Sequence, residues 1–137
     1  MCKAPQVENV HYDISVPVVD CEQLSMLLGI EEGEESVKSL ATELFAIYRA
    51  ESDEKLAELD AICRARDSGA LRKLVHFIAG SAGNLGMMRL HEFCRGIERA
   101  IDAGELKDFE ACAKLIPSEF ELGCQRFTQT LDLDLSA

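Results

Sequence analysis

The pattern of apolar and polar positions along the chain predicts one helix after another, preceded by a stretch of different character. Residues 1–19 hold Pro5 and Pro17 and place apolar side chains at Val10, Tyr12, Ile14, Val16 and Val18. That period of two predicts an extended N-terminal arm, free or packed along the domain. Asp20 followed by Gln23 resembles a capping box and opens a short helix that stops at Gly29. A long acidic helix is expected over 34–66, with the stripe Val37, Ala41, Leu44, Tyr48, Leu56, Leu59 and Cys63 and a break near Glu51 to Asp53. Asp67-Ser68-Gly69 forms the next turn, and either Asp67 or Ser68 is available as N-cap.

A third helix is predicted from about Ala70 to Leu85, burying Leu71, Leu74, Ile78, Ala82 and Leu85 and ending at Gly86. The fourth runs from Met87 to Ala103 with Leu90, Cys94, Ile97 and Ile101 on one face, and Gly104 closes it. The last starts near Glu105 and buries Phe109, Ala113, Ile116, Phe120, Cys124, Phe127 and Leu131. Pro117 falls inside it, and because proline lacks the N–H and crowds the preceding turn, a kink or split is expected there. Short connections make sequential helices antiparallel neighbours. The expected fold is all-α: an up-down antiparallel four-helix bundle over 20–137, with a short N-terminal capping helix and an extended arm over 1–19.

Composition changes this picture little. The 137 residues are 47% hydrophobic and 28% charged, as in a soluble single domain. No apolar run approaches the roughly 18 residues of a membrane span, and no signal peptide opens the chain, so a cytoplasmic protein is expected. The initiating methionine and the lack of a flanking domain favour a free-standing chain. Six irregularly spaced cysteines (Cys2, Cys21, Cys63, Cys94, Cys112, Cys124) form no C-x-x-C pair and read as small core thiols.

Charge is more informative. The net value of −11 argues against nucleic acid. From Arg64 to Arg99, however, seven basic residues (Arg64, Arg66, Arg72, Lys73, Arg89, Arg95, Arg99) face three acids (Asp67, Glu92, Glu98). That basic stretch is either a docking surface for an acidic partner or, at Arg64 and Arg66, the ordinary closing of a helix C-terminus.

Candidate chemistry lies in the third helix, Leu74-Val75-His76-Phe77-Ile78-Ala79-Gly80-Ser81-Ala82-Gly83-Asn84-Leu85-Gly86. Leu74 and Ile78 point to the core, which turns His76 outwards. Its face carries Arg72 and Lys73 one turn before, Ala79 and Gly80 one turn after, and Gly83 two turns after. Each interior glycine costs about 1 kcal/mol relative to alanine. Either the glycines let a neighbouring helix pack closely, or they clear a path for a bulky partner bringing a reactive group to the imidazole. His11 reads as a solvated arm residue. His91 and Cys94 at i and i+3 close no four-ligand site, so no metal is expected.

The run from His76 to Gly86, followed by Leu90, Cys94 and Ile97-Glu98, resembles the signature of the histidine phosphotransfer (HPt) family: H-x-L-K-G-S-x-x-x-L-G, then an apolar residue, a cysteine and L-E. The resemblance extends from about Asp20 through Leu131. It departs at Ala79, where the family often carries a lysine that balances phosphate charge; Lys73 and Arg72 are the candidates to replace it. The resemblance implies a phosphocarrier of a two-component phosphorelay that takes a phosphoryl group on His76 from a receiver-domain aspartate and passes it to another receiver. It implies no autonomous enzyme and no cofactor on this chain, with Mg2+ and a lysine supplied by the receiver. Gly80 and Gly83 would allow approach, Ser81 would hold the helix or the phosphate, and Phe77 would belong to the docking surface. Partners would be response-regulator receivers and a hybrid histidine kinase, with the chain monomeric. Two alternatives are a pseudo-HPt adaptor that binds receivers without carrying phosphate and a purely scaffolding bundle.

Overall fold

A computed structural model describes residues 3–20 and 34–135, with side chains over 3–20 and 42–130. Among the described residues five helices follow one another: α1 Glu34–Leu56, α2 Leu59–Arg64, α3 Ser68–Asn84, α4 Met88–Asp102 and α5 Phe109–Leu135. No strand occurs among the described residues. With α1 and α2 as one interrupted rod, this is the expected four-helix bundle. The expected capping helix after Asp20 lies outside the described residues, as do the side chains of Val37, Ala41 and Leu131 and the cysteines Cys2 and Cys21.

The helix ends follow from local chemistry. Asp67 caps α3, its carboxylate accepting from the Ala70 amide at 3.1 Å, and Asp108 does the same for Ala111 at 2.9 Å ahead of α5. Gly86 and Gly104 take positive φ after α3 and α4 (75° and 69°), a conformation that glycine adopts without a Cβ penalty. Three expectations need correction. The interruption of the first rod falls at Ala57–Glu58, where the Glu58 amide bonds to Lys55 O in a tightened turn, rather than at Glu51 to Asp53. Of the kink or split expected at Pro117, the split does not occur: the last helix runs on as one element. Leu44 is 41% exposed; its place is taken by half-buried Phe45, stacked on Phe127 at 5.0 Å.

The core is one cluster. Leu71, Leu74, Val75, Ile78 and Ala82 of α3 meet Leu90, Phe93, Cys94 and Ile97 of α4, with Ile116, Phe120 and Phe127 of α5 closing the far side. Each full burial of such a side chain stabilises by about 1.5–3 kcal/mol. Cys63, Cys94, Cys112 and Cys124 are buried free thiols, as the composition suggested. Burial pushes the Cys112 thiol up to about 12, so it stays protonated and inert. Inside this core Arg89 of α4 makes a bidentate pair with Glu119 of α5, Nε to Oε2 at 2.6 Å and Nη2 to Oε1 at 3.0 Å.

The arm is packed rather than free. Pro5, Val7 and Val10 are buried, and Tyr12 lies tilted against Phe93 at 5.5 Å while donating to Pro5 O. A Cβ at Gly96 would meet His11 O at 2.9 Å, so this glycine of α4 makes room for the arm. Asn9 donates to Glu105 O and Arg99 to His11 O, both at 2.9 Å. The alternation is broken at Ile14, which is 54% exposed, while Val16 and Val18 are half-buried. Among the described residues no helix is long and apolar enough to cross a membrane.

Candidate functional site

His76 stands on the outer crest of α3 with its side chain 59% exposed. Its Nδ1 lies 3.0 Å from Oε2 of Glu98, a residue of α4 whose side chain is only 7% exposed. A carboxylate oxygen accepts, so Nδ1 carries the hydrogen, and the lone pair of the imidazole sits on Nε2. Arg95 Nη1 donates to Glu98 Oε1 at 2.9 Å and lies 3.4 Å from His76 Nδ1. Arg72 holds Asp102 through Nε and Nη2 at 2.6 and 3.1 Å, with Nη2 also 3.5 Å from Glu98 Oε2. Its hydrogen bond holds the Asp102 carboxyl below the usual aspartate range.

These contacts fix the register of α3 against antiparallel α4. Arg72 faces Asp102, His76 faces Glu98, and Gly83 faces His91. At about 100° per residue the small residues near His76 therefore divide between two flanks. Towards α4 lie Ala79 and Gly83. Ala79 is fully buried, and its carbonyl accepts from His91 Nδ1 at 2.7 Å. A Cβ at Gly83 would meet that same Nδ1 at 2.9 Å. Ala79 and Gly83 thus do not belong to an open approach face: α4 covers them, and the close-packing reading holds for that flank. On the other flank Gly80 is exposed, with nothing within 4 Å of an added Cβ. Only there do the residues leave the clearing that the sequence suggested.

Phe77 is half-buried on the Gly80 flank, with Lys55 Nζ over its ring at 4.6 Å. Lys73 is exposed beside a shallow groove that it lines with Lys55, Glu58, Ile62, Ala70 and Leu74. Ser81 lies well round the helix from His76, half-buried, and the described contacts do not bring it to the imidazole. The basic stretch does not form one surface. Arg89 is buried on Glu119, Arg64 pairs with Asp60 at 2.9 Å, and Arg66 donates to Lys107 O. Arg64 lies in the last turn of α2, as the helix-closing reading had it. No group of three or more His, Cys, Asp or Glu side chains among the described residues is arranged to hold a metal.

Sequence reasoning placed Glu98 in a motif but gave it no task. The signal was present: Glu98 falls next to Ile97 on the buried stripe of α4, and a buried carboxylate requires partners. Arg95, one turn before it, was counted only as part of a basic stretch.

The fold and site together define a helical bundle that carries the solvent-facing His76 on the crest of α3, its ring held by a buried carboxylate. The family model described as Hpt domain matches residues 43–133. The chain belongs to the Hpt domain family. Its structure is similar to that of histidine-containing phosphotransfer protein B (HptB) from Pseudomonas aeruginosa PAO1, with a TM-score of 0.68 and 27% identity over 86% of this chain and 97% of that one. A search of curated proteins gives no match.

Proposed function

We propose that this chain is a phosphocarrier of a two-component phosphorelay, taking a phosphoryl group on His76 from a receiver-domain aspartate and passing it to a second receiver. The observation that carries the reading is the half-exposed imidazole whose Nδ1–H is held by buried Glu98, leaving Nε2 as the outward nucleophile. The Nε2 lone pair forms the N–P bond as the aspartyl O–P bond breaks, and the electron pair leaves with the receiver's carboxylate. The ring becomes cationic, with Glu98 as its counter-charge. In the second transfer an aspartate oxygen attacks phosphorus, the N–P bond breaks, and the ring returns to its neutral tautomer. No proton has to leave Nδ1 in either direction.

Catalysis of this kind is mostly positioning and charge neutralisation. The receiver would supply the Mg2+ and the lysine, while this chain supplies a rigid acceptor and acts as a carrier rather than an enzyme. Gly80 allows approach, and Phe77 with Lys73 and Lys55 forms the flank on which a receiver docks. The orientation of His76 supports the carrier over an adaptor that binds receivers without taking phosphate.

Incubation with a phosphorylated receiver should place an acid-labile, alkali-stable phosphate on this protein. His76→Gln should abolish it with the helical circular dichroism unchanged. Label that persists in that variant, or that maps to His11 or His91, would overturn the assignment.

A further inference from the structure

We propose that Arg95 is the cation that meets the phosphoryl group on His76, an inference that rests on His76 being the acceptor. Transfer leaves about two negative charges on the phosphoryl oxygens; the cationic ring is already answered by Glu98, so the dianion itself has no cation of its own. Before transfer the site is balanced, Arg72 and Arg95 against Glu98 and Asp102. The arriving group needs a cation with free donors, and the candidates differ in what they have left. Arg72 is committed to Asp102 through two nitrogens. Lys73 lies on the other flank, in the groove with Lys55, and the described contacts do not join it to His76.

Arg95 is placed differently. Its Nη1 is 3.4 Å from the imidazole, and its side chain is 38% exposed, at the mouth of the site. Only Nη1 is engaged among the described contacts, which leaves Nε and Nη2 to donate to phosphoryl oxygens. The register of α3 against α4 sets Ala79 opposite Arg95, and the smallest side chain with a Cβ leaves a guanidinium room to lie along α3 towards His76. Arginine also suits the task, because its donor fork matches phosphate oxygens and it stays charged throughout. Arg95 therefore gives and takes no proton: the N–P bond forms and the aspartyl O–P bond breaks as before, while the guanidinium lowers the energy of the charge that accumulates.

The test uses the full chain and a purified receiver domain phosphorylated by acetyl phosphate. Wild type, R95Q, R95K, E98Q and the double variant R95Q/E98Q are each brought to equilibrium with it, and 31P spectra of phospho-His76 are titrated. R95Q should lower the share of phosphate held on His76 on the order of tenfold, and R95K should restore most of it. The second ionisation of the phosphohistidine should move up in R95Q, because the dianion has lost its cation. Both effects should persist in the E98Q background. If they vanish there, Arg95 acts only by holding Glu98, and the inference fails. It fails alone if wild type is labelled on His76 and R95Q matches it in both measurements. A wild-type protein that takes no label on His76 overturns the carrier reading and this inference together.

Discussion

Helix α4 carries two arginine–carboxylate systems that use the same chemistry for opposite ends. Towards α5, Arg89 and Glu119 are 8% and 5% exposed and matched nitrogen to oxygen in a closed fork. Towards α3, Glu98 is just as deeply placed, but its partners Arg95, Arg72 and His76 reach it from solvent and are 38%, 42% and 59% exposed. The first pair has no unmatched carboxylate and faces core. The second has a sealed acceptor and open donors. A pair buried on both sides ties helices together, whereas one left open on the solvent side can orient a reactive group and answer a change in its charge.

The comparison breaks first at Arg89. Arg89→Met leaves Glu119 as an uncompensated buried carboxylate, which should cost about 3–5 kcal/mol of unfolding free energy. Because Arg89 does not touch His76, the phosphotransfer rate of the molecules still folded should match wild type. Urea denaturation and a transfer assay on the same preparation check both halves. A variant that keeps its stability, or one that folds but transfers slowly, would show that the two sides of α4 are not divided as described.

A second division runs through the glycines of α3. At Gly80 the space is open, so Gly80→Gln should leave the helix neutral or stabilise it by up to about 1 kcal/mol and yet slow transfer more than tenfold by standing in the receiver's path. If the variant melts earlier and transfers at the normal rate, the open flank is not where receivers approach. At Gly83 the space is taken by His91. Gly83→Ala must push the ring aside and break its bond to Ala79 O, a loss of about 0.5–1.5 kcal/mol against a helix-propensity gain of about 1. The net change should be near zero, whereas in a His91→Ala background the same substitution should stabilise by about 1 kcal/mol. Equal effects of Gly83→Ala in both backgrounds would sink the claim that the glycine exists for the histidine ring.

What the sequence made legible follows the same line. Periodicity located α3 and α4 within a few residues because their stripes are long and their ends carry Asp67, Gly86 and Gly104 as local signals; it began α5 near Glu105, four residues early, because the cap at Asp108 went unread. It misassigned Leu44 because Leu44 and Phe45 are both apolar neighbours, and only the packing against Phe127 decides which one faces inwards. At the site, a wheel drawn for α3 alone put Ala79, Gly80 and Gly83 on one face with His76. It could not show that α4 lies over one flank of that face, since His91, Arg95 and Glu98 reach it from the next helix. Residues that come from one helix were readable. The carboxylate that orients the histidine was not, because its role exists only once two helices are in register.

The smallest expected effect tests the outermost member of that register. Asp102 is exposed, and the hydrogen bond from Arg72 holds its carboxyl below the usual aspartate range. A carboxyl depressed in the folded state adds stability that is present above the unfolded value and is lost as pH falls through the folded one. Wild type should therefore melt slightly higher than Asp102→Asn at neutral pH, and the gap should close as pH drops below about 4. Added salt should narrow it at neutral pH, because both partners lie in water and are screened. Paired melting curves between pH 7 and pH 3 make the measurement. A gap that stays constant across that range would mean that the Arg72–Asp102 bond contributes shape rather than charge, leaving the orientation of His76 to Glu98 and Arg95.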